Sequence, residues 1–267
     1  MEQSGNGNRE FDPLIYFREL DSDDIGRRIW VLRELHSTNK WIKTIPSRTT
    51  HHGLLCLADS QIRGRGQYNR SWLSEKNKNL TFTIVLKPEY STKIQLLLLG
   101  MACAVSDAVK KMLNLDIRLK WPNDLMAGEK KIGGILGEAS FAGDHIERFL
   151  IGTGINVNMY EIPEYIGNIA ESLINLHGSE VPREKLMATV MNEFKEIADL
   201  WETDTKALIK KVNDILIHYG CWSDIIVDGV KQSHKHKILG VNENGWLMTL
   251  NHEDSIELYS YQQVRII

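Results

Sequence analysis

Residues 92–113, TKIQLLLLGMACAVSDAVKKML, are apolar around most of a helix's circumference. A helix of this kind is buried on much of its surface, so the fold must wrap other layers around it. Its longest apolar run, IQLLLLGMACAV, is too short to span a bilayer. The chain has 267 residues, 42% of them hydrophobic and 25% charged, which suits one large globular domain or one domain plus a small one.

Several strands are predicted around that helix. IGRRIWVLREL (25–35) has strand character in its middle, GLLCLADS (53–60) is a short buried run, and NLTFTIVLK (79–87) alternates and ends before Pro88. Between the first two, HSTNKW (36–41) carries helix-starting chemistry, with Ser37 or Thr38 as cap of a helix opening at Asn39. DIRLKW (116–121), KIGGILGEAS (131–140) and IERFLIGTGINVN (146–158) are further strands, the last two with glycine interruptions, and PNDLMAGEK (122–130) reads as a turn. Leu186, Met187, Val190, Met191, Phe194, Ile197 and Trp201 recur at helical spacing over 183–203, and a second helix is expected over about 205–218. From Gly220 the texture changes to short alternating strands separated by turn signals such as DG and NENG. The expectation is an α+β protein: a frayed tail over 1–10, a mixed β-sheet flanked by helices over 11–219, and a small β-barrel over 220–267.

Charge and cysteines exclude some functions. The net charge of -3 argues against a broad nucleic-acid footprint. The N-terminus is polar and lacks an apolar signal core. Cys56, Cys103 and Cys221 are far apart with no C-x-x-C, which fits free thiols better than a disulfide framework or structural zinc. A cytoplasmic protein without membrane or nucleic-acid partners is expected. His234 and His236 in HKHK would share one strand face, yet two ligands without a third read as a polar edge. His51 and His52 lie in a loop, and Met187 and Met191 fall on an apolar helix face.

Three segments place glycines or polar residues at strand ends, where sites are usually built. In GRGQYNRSW (64–72), glycines allow close backbone approach, and arginine offers a planar fork for phosphate or carboxylate. The loop sits between two strands, which weakens the nucleotide-loop motifs that need a strand followed directly by a helix. In KWPND (120–124), Pro122 ends the strand's hydrogen bonding, and Asn123 and Asp124 suit a plain turn. The same two side chains also suit a polar ligand or a metal-bound phosphate, with Lys131 as a point charge opening the next strand. GTGIN (152–156) closes an apolar strand.

GRGQYNRSW, KWPND…KIGGILGE and GTGIN, in this order and with STN upstream, resemble the biotin protein ligase family. The likeness runs from about residue 30 to the C-terminus, small barrel included. It implies the biotin-lipoate ligase fold, which is class II aminoacyl-tRNA synthetase-like, with an SH3-like C-terminal barrel. It also implies a two-step reaction. Biotin's carboxylate attacks the α-phosphate of MgATP to give biotinyl-5′-adenylate, and a lysine amine of a biotin carboxyl carrier protein then attacks the mixed anhydride. ATP with Mg²⁺ and biotin would be substrates, with no tightly bound prosthetic group.

On the matching positions, the resemblance makes Arg65 and Lys131 catalytic. Ser37, Thr38, Asn39, Gln61, Arg65, Gly66, Gln67 and Lys131 would bind biotin. Gly64, Arg65, Trp72, Asn123, Asp124, Gly134 and Asn156 would hold ATP or the adenylate, with Asp124 as a metal contact. Trp72 would line the loop, stack on an aromatic ligand or simply anchor the loop. The loop would close over the easily hydrolysed adenylate and exclude water.

The family loop often reads G-R-G-R-x-G-R-x-W, and here Gln67 stands at the second arginine and Asn69 at the third glycine. Asn69 tolerates a left-handed turn, whereas Gln67 removes a charge, so a Gln67→Arg variant is expected to hold the intermediate at least as firmly. A lipoate–protein ligase shares the chemistry, but its R-R-x-x-G-G and K-x-x-G-x-A elements are not found. Only 36 residues precede Ser37, fewer than the roughly 60 of a DNA-binding winged helix, so the form without that module is expected. A non-catalytic binding protein of the same fold stays open, as does a homodimer, since the family includes monomers and dimers.

Overall fold

A computed structural model describes residues 9–66, 71–88, 93–167 and 169–267, without the side chains of Arg65, Ser71 and Tyr165. Gln67, Asn69 and Arg70 lie outside the described residues. Arg9 is already docked: its carbonyl accepts from Arg183 Nη2 at 2.7 Å, and its guanidinium pairs with Glu184 at 3.1 Å. Helix α1 (Pro13–Glu19) follows, capped by the Asp12 carboxylate on the Leu14 amide.

The sheet is built from β1 (Ile29–Leu32), β2 (Leu54–Ala58), β5 (Leu80–Leu86), β6 (Arg118–Lys120), β7 (Asp124–Ala127), β8 (Lys130–Ala142) and β9 (His145–Ile155). Among the described residues it is seven-stranded, in the order β1-β2-β5-β9-β8-β7-β6. β1 and β2 are parallel and every other neighbouring pair is antiparallel, so the sheet is mixed. β3 (Gly64–Arg65) and β4 (Ser71–Trp72) pair separately as the two arms of the glycine loop. The turn expected over 122–130 is corrected: Asp124–Ala127 form β7, because Leu125 and Met126 have partners on both sides. β8 and β9 continue through their glycines as expected, with a register shift beside Gly133 in β8.

Alternation gives the sheet two unlike faces. Leu55, Phe82, Ile84, Phe149 and Ile151 join one core with the buried helix α3 (Ile94–Leu113) and the apolar stripe of α6 (Arg183–Thr203). Asn114, in the left-handed region with φ 55°, ends α3. The opposite face carries a smaller cluster of Leu54, Cys56, Val85 and Leu150 under Ile42 of α2 (Thr38–Thr44). Ser37, one of the two expected caps, occupies the cap position of α2, which opens at Thr38, one residue earlier than expected; its side chain makes no capping bond. The short helices α4 (Glu164–Gly167) and α5 (Leu173–His177) precede α6, and α7 (Thr205–Ile215) follows it, capped by Asp204 on the Ala207 amide.

The C-terminal strands are β10 (Trp222–Ser223), β11 (Ile225–Val227), β12 (Val230–Lys231), β13 (His236–Val241), β14 (Leu247–Leu250), β15 (Ile256–Tyr259) and β16 (Val264–Ile266). They form a four-stranded antiparallel sheet, β10-β13-β14-β15, and a three-stranded one, β12-β11-β16, in keeping with a small SH3-like barrel. This unit docks through Asn213 of α7, which accepts from the Val241 amide at 2.9 Å, and through Trp121, whose indole N–H reaches the Gly245 carbonyl at 3.3 Å. The shared strand face expected for His234 and His236 is not formed. β13 begins at His236, whose ring is buried against Thr249 and Glu257, while His234 stacks on His252.

Candidate active site

A cavity of about 750 Å³ opens on the α2 side of the sheet. That volume falls in the range of small-molecule sites, roughly 300–1,000 Å³. Its floor lies on two rows of paired strand residues, whose β8 and β9 members line it. One row runs Thr83–Gly152–Leu136, the other Thr81–Gly154–Gly134–Asp124. Leu150 of the same β9 face packs under α2, so a large residue at 152 or 154 would continue that packing and fill the space. Glycine leaves room instead. A Cβ on Gly152 would stand 2.4 Å from Asn39 Oδ1, and one on Gly154 would stand 2.5 Å from Trp72 Cε2. Each glycine of GTG therefore receives one side chain named from the sequence.

The cavity gathers Ser37, Thr38, Asn39, Gln61, Gly64, Gly66, Trp72, Asn123, Asp124, Lys131, Gly134 and Asn156. These residues span 120 positions of sequence and meet because β2, β5, β9, β8 and β7 lie side by side. The backbone of Arg65 lies in β3, between two cavity residues, and its side chain is outside the description. Gln67 is outside it altogether.

Lys131 reaches the cavity through a bulge. Leu125 pairs with Gly133 but Met126 pairs with Lys131, so Ile132 is an extra residue in β8. In a regular register with Ile132 kept, Lys131 would point to the helix side. With the bulge, Ile132 is buried in the core and Lys131 shares the cavity face with Asp124. The ammonium lies 2.5 Å from Asp124 Oδ1 and 6.0 Å from the Trp72 ring centre, over bare Gly134 backbone. The main chain of Lys131 is held from the far side, its amide on the Ile169 carbonyl and its carbonyl on the Glu171 amide. Among the described residues the buried indole N–H of Trp72 has no partner, which leaves it for a ligand acceptor.

Asn123 and Asn156 have mainly architectural contacts. Asn123 Nδ2 donates to the Ile135 carbonyl at 3.0 Å, and Asn156 Nδ2 donates to the Glu171 carbonyl at 3.1 Å. Asp124 is the acidic side chain among the described residues lining the cavity, and no cluster of three or more His, Cys, Asp or Glu among them could hold a metal by itself. The root of the glycine loop is anchored by Asp59. Its carboxylate takes the Phe11 amide and the Arg183 guanidinium at 3.2 Å, both buried. Burial pushes the Asp59 carboxyl up from the usual range, against the pull of Arg183.

Sequence reasoning named no role for Thr83, Glu138, Lys120, Gly152 or Gly154, or for the C-terminal wall of Tyr261, Arg265, Ile266 and Ile267. The two glycines stood in GTGIN, and their spacing of two, matched to a strand's period, was the available signal. The C-terminal wall had none, because nothing local says that β16 returns to the sheet.

A family model described as the biotin/lipoate A/B protein ligase family matches residues 31–156, the segment from within β1 to the end of β9. The bifunctional ligase/repressor BirA of Bacillus subtilis is 26% identical over 244 residues, covering 90% of this chain and 75% of BirA. The biotin--[acetyl-CoA-carboxylase] ligase of Mycobacterium tuberculosis is 25% identical over 66% of this chain and 65% of its own. A solved biotin protein ligase from Aquifex aeolicus, in complex with biotin and ATP, superposes with a TM-score of 0.79. It is 29% identical, covering 90% of this chain and 100% of that one. With the family motifs on the cavity strands, this chain is similar to the biotin protein ligases in a fold that runs from the mixed sheet into the small C-terminal sheets.

Proposed function

We infer that the cavity binds biotin and ATP, and that the chain is an ATP-dependent biotin ligase. It activates biotin as biotinyl-5′-AMP and transfers it to the acceptor lysine of a biotin carboxyl carrier protein. The observation that carries this reading is the position of Lys131. A cation stands over glycine backbone, 6.0 Å from the centre of an indole ring whose N–H has no partner among the described residues, in the same cavity as Thr38, Asn39 and Gln61.

The first step joins two anions. Biotin's carboxylate oxygen attacks the α-phosphorus, a new P–O bond forms, and pyrophosphate leaves with the electrons of the broken bond. Fixed cations and N–H groups are what lower such a barrier. Lys131 faces the carboxylate and phosphate oxygens, and the Gly64–Gly66 arm brings backbone amides and Arg65 from the other side. Ser37, Thr38, Asn39 and Gln61 hold the ureido end. Trp72, Asn123, Gly134 and Asn156 border the nucleotide. ATP enters as its Mg²⁺ complex, the metal being part of the substrate, and Asp124 is the carboxylate placed to meet it beside Lys131. In the second step a neutral lysine amine attacks the acyl carbon, the C–O bond to phosphate breaks, AMP leaves, and the nitrogen loses a proton. We take residues 11–219 as the catalytic unit and 220–267 as the small barrel, whose strand β16 walls the cavity.

The test is ATP–pyrophosphate exchange by the purified chain. Exchange that depends on biotin, followed by biotin transfer to a carrier domain, is expected. Exchange supported by lipoate and not by biotin would overturn the reading.

A further inference from the structure

The polar side chains around Asn39 form a chain with a fixed direction. Asn39 Nδ2 lies 2.8 Å from Glu138 Oε2. Asn39 Oδ1 lies 2.5 Å from Thr83 Oγ1, and Thr83 Oγ1 lies 2.8 Å from Thr38 Oγ1. The backbone N–H of Thr38 donates to Gln61 Oε1 at 2.8 Å. Thr38, Asn39 and Thr83 are buried, so these contacts are their means of satisfaction.

The direction follows from counting protons. An ionised carboxylate only accepts, so Glu138 compels Asn39 to present its NH₂ there and its carbonyl to Thr83. A hydroxyl has one proton. That of Thr83 goes to Asn39, so the Thr83 oxygen must accept from Thr38. The Thr38 proton is then spent, and its hydroxyl shows the cavity only lone pairs. Gln61 is pinned by its carbonyl, which leaves its NH₂ for the cavity. Were Asn39 flipped, its carbonyl would face the carboxylate, and Thr83's proton would be turned to Thr38, freeing the Thr38 proton for the cavity.

We infer that Glu138 and Thr83 are positioning residues for the ureido subsite: acting through Asn39, they make Thr38 an acceptor opposite the donor Gln61. A ureido group, with N–H donors beside one carbonyl acceptor, needs both polarities. The inference rests on the reading of the cavity as a biotin site. Lys43 pairs with the other oxygen of Glu138 and takes no part in the chain.

Biotin titration calorimetry on the intact chain tests it, with ATP affinity and the thermal midpoint as companion readouts. Glu138→Gln can satisfy Asn39 in either orientation, and Thr83→Ala removes the middle of the chain. Each is expected to raise the biotin Kd about tenfold, with ATP affinity unmoved. The double variant is expected to lose no more than the weaker single, because one chain is cut twice. Thr83→Ser restores the hydroxyl and the affinity. Lys43→Met, which removes the ion pair but keeps the carboxylate, binds biotin as the wild type does.

Unchanged biotin affinity in Glu138→Gln overturns the inference, as do losses that multiply in the double variant, or a Lys43→Met loss equal to that of Glu138→Gln. If Thr83→Ala unfolds, Glu138→Gln against Lys43→Met carries the test. A wild type that binds no biotin fails the functional reading first, before any substitution is made.

Discussion

Gly152→Ala separates the folding role of the sheet from its binding role. The position has no left-handed backbone, so alanine is conformationally acceptable and even gains roughly 0.5–1 kcal/mol over glycine in a strand. Its Cβ would stand 2.4 Å from Asn39 Oδ1, 2.8 Å from Cγ and 2.9 Å from Nδ2. Reaching ordinary contact near 3.4 Å requires Asn39 to retreat by about 1 Å. A shift of that size stretches the bonds to Glu138 and Thr83 beyond useful range. The charge-assisted bond is worth ~1.5–3 kcal/mol and the neutral one ~0.5–1.5 kcal/mol. Net destabilisation is then about 1–4 kcal/mol, or a fall in Tm of roughly 3–12 °C for a chain of this size.

Biotin affinity suffers more, since Asn39 moves and the cavity floor rises together; the Kd is expected to increase by about two orders of magnitude, near 2.7 kcal/mol. Calorimetry and thermal melts on the same samples measure both. Gly143→Ala is the comparator: nothing lies within 4 Å of its Cβ, but φ is +61°, so it costs ~1–2 kcal/mol through the backbone alone and leaves biotin binding intact. A Gly152→Ala protein that binds biotin normally, or a Gly143→Ala protein that loses it equally, refutes the reasoning.

Other expectations can be checked alongside. Lys131→Met should slow biotin-dependent pyrophosphate exchange by ~100-fold or more while the fold stays intact by circular dichroism, since one preorganised donor to the developing charge is lost. Of the three thiols, Cys221 is exposed and should react with a chromogenic disulfide in the native state; Cys56, whose thiol burial pushes up to about 12, and Cys103 should react only on unfolding. Burial and Lys120 lower the His218 pKa, so the folded chain takes up that proton less readily than the unfolded one. Its contribution to stability is complete above the unfolded value near ~6.5 and is lost as pH falls through the lowered one. His218→Asn, which accepts the left-handed φ of 69°, should therefore flatten the melting midpoint between pH 7.5 and 5.

Periodicity made much of the fold legible. The apolar girth of α3, the stripe of α6 and the alternation of β5 each betray one element and its buried face. Chemistry at strand ends made most of the cavity legible too, because STN, GRG, KWPND and GTGIN bring residue types that packing does not demand. What stayed hidden depends on partners far away in sequence. Thr83 looks like any β-branched strand residue, and Glu138 like a solvated acid, until Asn39 arrives between them. β7 was obscured because Pro122, Asn123 and Asp124 carry turn chemistry while Leu125 and Met126 pair on both edges. The histidines of HKHK were misjudged for the opposite reason: the strand starts only at the second of them.

The extra residue in β8 also decides which kind of genetic change the strand tolerates. In plain alternation the residue before Gly133 falls on the cavity face, so an in-frame loss of the Ile132 codon would leave Lys131 there, still opposite Met126, in a strand without its bulge. The damage would fall on the core, which would give up one buried aliphatic side chain at a cost of about 2–5 kcal/mol. Ironing out the bulge with Ile132 retained would do the opposite: the isoleucine would take the cavity face and the ammonium would turn unpaired among the helices, at a cost of several kcal/mol. The bulge thus seats one more core residue without moving the cation.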